Sequence, residues 1–298
     1  VLMISGNHDS SDRIHFASSI LSKRGLHIET YLSQHLNYVE KEAVRFYLLP
    51  FVKPSQVKAL YHDEQIHDYQ SALKVYMSHQ KLDSHYKNIL ITHQFVGHNS
   101  LTSESEMPIS VGGSEIVDAS LFQDFDYVAL GHLHAPQAVT RETMRYSGSL
   151  MRYSFDEVKQ NKSIVIVDTD DMSITLHTLH PSQTLEKYTA TFAELMDPHF
   201  IKQKNDFLAF ELKDETLIPH AIDQLRVLYP NLLQITYSYL LKEQTNHQVQ
   251  SIQTLEQTDT PTLFQQFYKE MKNIELSPQQ FKVVKELLEK VGEEHENS

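Results

Sequence analysis

Along the first half of the chain, short apolar runs alternate with stretches of helical spacing. Val1-Leu2-Met3-Ile4 is a continuous apolar run that stops at Ser5-Gly6, the pattern of a buried strand entered midway. A polar helix is expected through Arg24, a strand at Val44 to Leu49, helices to about Gln80 and a strand at Asn88 to Thr92. Strands alternating with helices in this way indicate an α/β domain. A polar stretch from Gln94 to Glu115 then leads to a short helix at Asp118 to Phe122 and an apolar run, Tyr127-Val128-Ala129-Leu130, that ends at Gly131-His132. Further strands are expected at Met144 to Ser147, Ser163 to Val167 and Ser173 to Leu179. The last two alternate apolar and polar residues around a turn at Asp168 to Met172, so an antiparallel hairpin should close a first domain spanning residues 1–182.

The pattern restarts beyond that point. Strand-like Tyr188 to Phe192, strand Phe207 to Leu212, helix His220 to Leu228 and strand Leu232 to Tyr239 read as a small, separate α+β domain over residues 183–242. Residues 243–261, rich in Gln, Thr, Asn and Asp, cannot bury enough apolar surface to fold alone and are read as a linker. In residues 262–298, Leu263, Phe264, Phe267 and Met271 share one helical face, and Phe281, Val284, Leu287, Leu288 and Val291 share another. Ser277-Pro278 offers the second helix an N-cap and a first-turn proline. Two short amphipathic helices with no core of their own are expected to pack on another protein; docking back onto the chain is the alternative.

Composition narrows the chemistry. The chain has 298 residues and no cysteine, which excludes disulfides, thiolate metal sites and cysteine nucleophiles, while 18 histidines leave nitrogen and oxygen ligation open. A net charge of −13 argues against binding nucleic acid through a broad basic surface, so any DNA contact must be local or assisted by a partner. No run approaches the length and apolarity of a membrane-spanning helix, and the expectation is a cytoplasmic protein without a membrane partner.

Three segments deliver polar side chains to strand ends: Gly6-Asn7-His8-Asp9, Thr92-His93-Gln94 and Gly131-His132-Leu133-His134. In open α/β sheets, sites collect at such ends. Gly6 permits a tight turn that lets Asn7 present its carbonyl oxygen and His8 its ring to one cavity, although an ordinary Asx turn would have the same sequence. His132 and His134, two apart in an extended segment, lie on one side and can grip one ion or reach two. His93 taken alone reads as a core or surface histidine. Asp9, beside His8, is a candidate to bond a working imidazole and fix its tautomer, or else an exposed turn residue.

Taken together, the order Gly-Asn-His-Asp, strand-Thr-His and Gly-His-x-His resembles the calcineurin-like metallophosphoesterases. At Val111-Gly112-Gly113-Ser114-Glu115, Phe125 to His134 and Tyr146-Ser147-Gly148-Ser149-Leu150, the likeness narrows to the SbcD nuclease subunits. That resemblance implies a metallophosphoesterase β-sandwich flanked by helices, a small α+β capping domain that contacts DNA, and C-terminal helices that bind an SbcC-type ATPase. It implies that Asn7, His93, His132 and His134 are metal ligands and that His8 assists catalysis near the scissile phosphate. Two Mn2+ ions, or Mg2+ or another divalent cation, would serve a 3'-5' exonuclease on duplex ends and an endonuclease on single strands and hairpins, in repair and recombination on the nucleoid. A homodimer using helices around Arg13 to Ile20 is a further implication.

The family also carries Asp-x-His and Gly-Asp-x-x-Asp motifs ahead of Gly-Asn-His-Asp, and only five residues stand there in this sequence. Leu82-Asp83-Ser84-His85 contains an Asp-x-His, but in a polar stretch that reads as surface. Without a bridging carboxylate, two cations held by neutral ligands repel with little compensation. This chain is therefore expected to bind metal weakly, and its first strand to carry an unpaired edge and an uncovered apolar face. Two other readings stay open: a phosphoesterase acting on nucleotides or phosphoproteins, and a non-catalytic scaffold that binds DNA or the ATPase.

Overall fold

The computed structural model describes residues 1–62, 65–97, 102 and 115–240, with 264–265, 268–269, 275–277 and 279–285 beyond them. In chain order the elements are β1 (Leu2–Ile4), α1 (Ser11–His15), α2 (Ser18–Ser22), β2 (His27–Glu29), β3 (Asn37–Lys41), β4 (Val44–Leu49), α3 (Pro54–Tyr61), α4 (Tyr69–Ser78) and β5 (Lys87–His93). There follow β6 (Tyr127–Gly131), β7 (Gln137–Val139), β8 (Arg141–Tyr146), β9 (Ser163–Val167), β10 (Ile174–Thr178), β11 (Leu185–Ala190), α5 (Phe192–Leu195), β12 (Phe207–Leu212), α6 (Ala221–Arg226) and β13 (Leu232–Tyr237). The expected linker at 243–261, Val111 to Ser114 and most of the expected C-terminal helices lie outside the described residues.

The chain divides into two compact units, one of Val1–Lys187 with Gln203–Ala209, the other of Tyr188–Lys202 with the residues from Phe210 on. The first unit is built on a six-stranded sheet in the order β3-β4-β5-β6-β8-β7. Its centre is parallel, from β4 through β5 and β6 to β8, with β3 and β7 antiparallel at the edges. Strand register sorts the side chains by face. Tyr47, Leu90, Val128 and Met144 form one row across the sheet, and the next row runs Leu49, Thr92, Leu130, Tyr146. Those rows pack with Val57, Ala72, Leu73 and Tyr76 of α3 and α4 in the main core. On the opposite face Val44, Ile89 and Tyr127 are covered by Val165, Val167, Met172 and Ile174 of the β9-β10 hairpin. A sheet with helices on one face and a hairpin on the other is the mixed α/β sandwich expected from the sequence.

Local differences from the sequence pattern have local causes. The single polar helix expected through Arg24 is two short helices, because Ala17 adopts the left-handed conformation between them, with φ 62°. The strand expected at Tyr188 to Phe192 runs instead from Leu185 to Ala190. Phe192 opens α5, because Thr191 accepts a hydrogen bond from the Glu194 amide while the Glu194 carboxylate reaches back to the Thr191 amide. β1 pairs in parallel with β2 in a two-stranded sheet, so among the described residues its other edge has no strand partner, and Met3 remains 40% exposed. In the second unit, Leu195, Phe210, Leu225 and Tyr229 are fully buried, and the Tyr229 hydroxyl donates to the Leu195 carbonyl at 2.8 Å. Among the described residues no helix is long and apolar enough to cross a membrane.

One buried side chain ties the core to the loop that leaves β5. The Tyr146 hydroxyl donates to the Gln94 carbonyl at 2.9 Å and accepts from the Val96 amide at 2.6 Å. Tyr146→Phe keeps the ring and strips that pairing from buried main-chain groups, so it should destabilise the fold by about 1–3 kcal/mol. An unchanged midpoint in urea unfolding would show that this hydroxyl does not hold the loop.

Candidate metal centre

The three segments singled out by sequence come together at the carboxyl ends of parallel strands. His93 is the last residue of β5, its register partner Gly131 is the last of β6, and Gly6-Asn7 follows β1. The His93 imidazole lies between two glycines. A Cβ on Gly6 would stand 2.8 Å from its Cε1, and one on Gly131 would stand 2.8 Å from its Nδ1, so neither position has room for a side chain. Phe51 meets the ring edge-on with centroids 6.3 Å apart. The Phe51 amide donates to the Ser5 carbonyl at 3.0 Å, which anchors the end of β1 beside this ring.

Held in this way, His93 Nε2 lies 2.9 Å from Asn7 Oδ1. The His132 ring stands edge-on to His93 at 5.3 Å and is backed by Phe95 at 5.6 Å. His132 has φ 105°, a strained backbone conformation for a residue with a Cβ, which turns the chain sharply just past the end of β6. His8 is exposed, and His134 is partly buried. Both lie within electrostatic reach of the His93 and His132 rings. Asp9 Oδ2 accepts from the Gly6 amide at 2.7 Å, so its carboxylate closes the turn, while its charge acts on His93. The Asp-x-His at Asp83 and His85 is a surface pair, with the His85 side chain 90% exposed and bonded to Asp83 at 2.8 Å.

Burial sets the protonation of the two central histidines. Desolvation pushes His93 down to about 4, with the neighbouring His132 adding to the effect, and desolvation likewise brings His132 to about 4. At neutral pH both rings are therefore uncharged and carry the lone pair that a metal requires. The spacing of Asn7 Oδ1 and His93 Nε2 suits the same use. Two donors each about 2.1 Å from one ion and at right angles to it would sit about 3 Å apart. The Asn7 amide nitrogen is buried with no hydrogen-bond partner, leaving the oxygen as the engaged end of that side chain. Among the described residues no group of three or more His, Asp or Glu is arranged to hold an ion. The neutral donors fit one side of a cation site, and the negative charge that would hold two cations close together is not among them.

Sequence reasoning places Asn7, His93 and His132, which are in direct contact or adjacent. It does not find the packing roles of Gly6 and Gly131, nor that of Glu157, which is fully buried with its Oε1 3.0 Å from His134 Nδ1. Glu157 sits in the polar run Phe155-Asp156-Glu157-Val158-Lys159, which carries no sign of burial.

Comparison with known proteins decides the family. Along 294 residues, 97% of this chain and 77% of the relative, the sequence is 32% identical to the SbcD subunit of the SbcCD nuclease from Staphylococcus epidermidis. The chain belongs to the SbcD nuclease subunit family. A second SbcD relative, from Staphylococcus saprophyticus, is 32% identical over 301 residues, covering 99% of this chain and 79% of that protein. Residues 181–272 also match a family model described as the type 5 capsule protein repressor C-terminal domain, SbcD_C.

The depressed histidines of this SbcD chain give a pH dependence with a definite sign. As the pH falls from 6.5 towards 4, the unfolded imidazoles bind protons and the folded ones do not, so stability is lost through that window. Metal-free protein should show a falling urea midpoint from pH 6.5 to pH 4, and His132→Gln should show a shallower fall. Parallel profiles for the two proteins would mean that His132 titrates alike folded and unfolded.

Proposed function

We propose that this chain is the nuclease subunit of an SbcCD-type complex, acting on DNA ends and hairpins as a 3'-5' exonuclease on duplexes and an endonuclease on single strands. The observation that carries this reading is the convergence of Asn7 Oδ1 on His93 Nε2 at 2.9 Å, beside the His132 ring, at the strand ends of a chain that is 32% identical to named SbcD subunits. In this reading Asn7, His93 and His132 hold a divalent cation, with His134 contributing from the same segment. Oxygen and imidazole donors without thiolates suit manganese and accept magnesium. When bound, such ions supply Lewis-acid stabilisation of phosphate charge and a water of lowered pKa.

The protein's own residues supply position and protons. The half-buried, neutral imidazoles bring lone pairs without a charge that would repel a cation. The glycine slots fix the His93 ring before any ligand arrives, so little reorganisation is required on binding. In this reading His8, exposed at the turn after β1, meets the phosphodiester and hands a proton to the leaving oxygen. The net charge of −13 makes a free encounter with DNA unfavourable, and an SbcC-type ATPase, bound through the C-terminal helices, supplies the missing attraction and processivity.

The test is degradation of an end-labelled duplex and of a hairpin by the chain together with an SbcC-type partner, ATP and Mn2+. His93→Ala should abolish cleavage, and His8→Ala should slow it by about two orders of magnitude or more. Undiminished degradation by His8→Ala would remove the role assigned to that residue; cleavage that persists in His93→Ala and in chelator would remove the metal reading itself.

A further inference from the structure

We infer that Glu157 is a positioning residue for the metal centre, holding His134 as the Nδ1–H tautomer with Nε2 as its lone-pair nitrogen. The inference rests on the metal reading above. Glu157 lies in the 3-10 turn Phe155–Lys159, entirely buried. Its Oε1 lies 3.0 Å from His134 Nδ1, and Ser154 Oγ, which donates to Asp156 Oδ1, is 3.3 Å from the same oxygen. Its Oε2 accepts from Lys162 Nζ at 2.7 Å and from the Tyr153 amide at 3.3 Å. A buried carboxylate with an ammonium on one oxygen is ionised, and an ionised carboxylate can only accept. The hydrogen between Glu157 and His134 must therefore sit on Nδ1, and Nε2 is the nitrogen that carries the lone pair whenever the ring is uncharged.

Lys162 grips both halves of this pair. Besides Glu157, its Nζ donates to the His134 main-chain carbonyl at 2.9 Å and to Ser149 Oγ at 2.8 Å. The Ser149 amide donates to that same carbonyl at 3.1 Å. Gly148 makes the approach possible: with φ +78°, it has a position where a Cβ would stand 2.7 Å from the His134 carbonyl oxygen. Both the ring and the backbone of His134 are thus fixed to one buried charge pair. Nothing in this arrangement serves the hydrophobic core, and a buried ion pair is a poor source of stability. Its effect is to set the angle and tautomer of one imidazole, which is what a carboxylate behind a metal-ligating histidine does.

The measurement uses the 298-residue chain, uniformly labelled with 15N and free of metal, with His134 assigned through a His134→Gln variant. Long-range 1H–15N correlations should show His134 as the Nδ1–H tautomer in the unmodified chain. In Glu157→Gln the side-chain amide can donate instead of accept, so the tautomer should shift towards Nε2–H. Mn2+ affinity by calorimetry should weaken about 10- to 100-fold in that variant. A His134 ring already in the Nε2–H form, or an unchanged Mn2+ affinity in Glu157→Gln, would overturn the inference. If Glu157→Gln does not fold, the tautomer in the unmodified chain decides it. If the unmodified chain takes up no Mn2+, the metal reading fails while the tautomer still tests whether Glu157 sets the ring.

Discussion

The arrangement depends most on the seating of one imidazole. His93 ends a central parallel strand and lies against two glycines that belong to different chain segments, Gly6 after β1 and Gly131 at the end of β6. Because a Cβ at either position would come within 3 Å of the ring, the absence of two side chains is what brings three segments together. Once the ring is seated, its Nε2 can point only to where Asn7 lies, and its edge presents itself to His132. Strand register does the rest. Pairing His93 with Gly131 aligns the ends of β5 and β6, so that the chain beyond each end enters the same space.

That seating also explains the electrostatics. The rings pack against Phe51, Phe95 and each other, and they lose hydration without an anionic partner in contact among the described residues. An imidazolium in such a place has little to solvate its charge, so both rings shed the proton early and stay neutral through the physiological range. Neutrality is the form that binds cations. The chain's large negative charge thus says little about this site, which is a pocket of uncharged donors in an acidic protein.

Much of this is legible in the sequence, and what is not has a physical reason. Apolar runs such as Tyr127 to Leu130 mark strands because they are buried on both faces, and the switch to Gly-His marks where the strand stops. β3, with only Val39 partly buried among polar neighbours, offers no such run, and the pattern does not reveal it. The stretch through Arg24 reads as one helix because nothing in the side chains announces that Ala17 takes a left-handed conformation. Asn7, His93 and His132 can be named from motif and position. The glycines can be seen but not what they make room for, since a slot is a relation between residues on separate segments of the chain. Glu157 is invisible for the opposite reason: a charged residue in a polar run looks like surface, and only tertiary structure shows it to be buried.

The buried Glu157 and Lys162 invite the question of why a fold would keep them. Removing a carboxylate and an ammonium from water costs several kcal/mol each, and their attraction recovers this only if their remaining hydrogen-bonding capacity is met. Here it is met: Lys162 has four acceptors within 2.9 Å for its three hydrogens, and Glu157 has donors on both oxygens. An apolar pair of similar volume would satisfy the core as well, but it could neither fix a tautomer nor hold the His134 carbonyl. Those two constraints act on the candidate ligand that lies three residues past the end of β6, where strand register no longer fixes direction. The charge pair does for His134 what the glycine slots do for His93: each ring is held in place by contacts of a different kind.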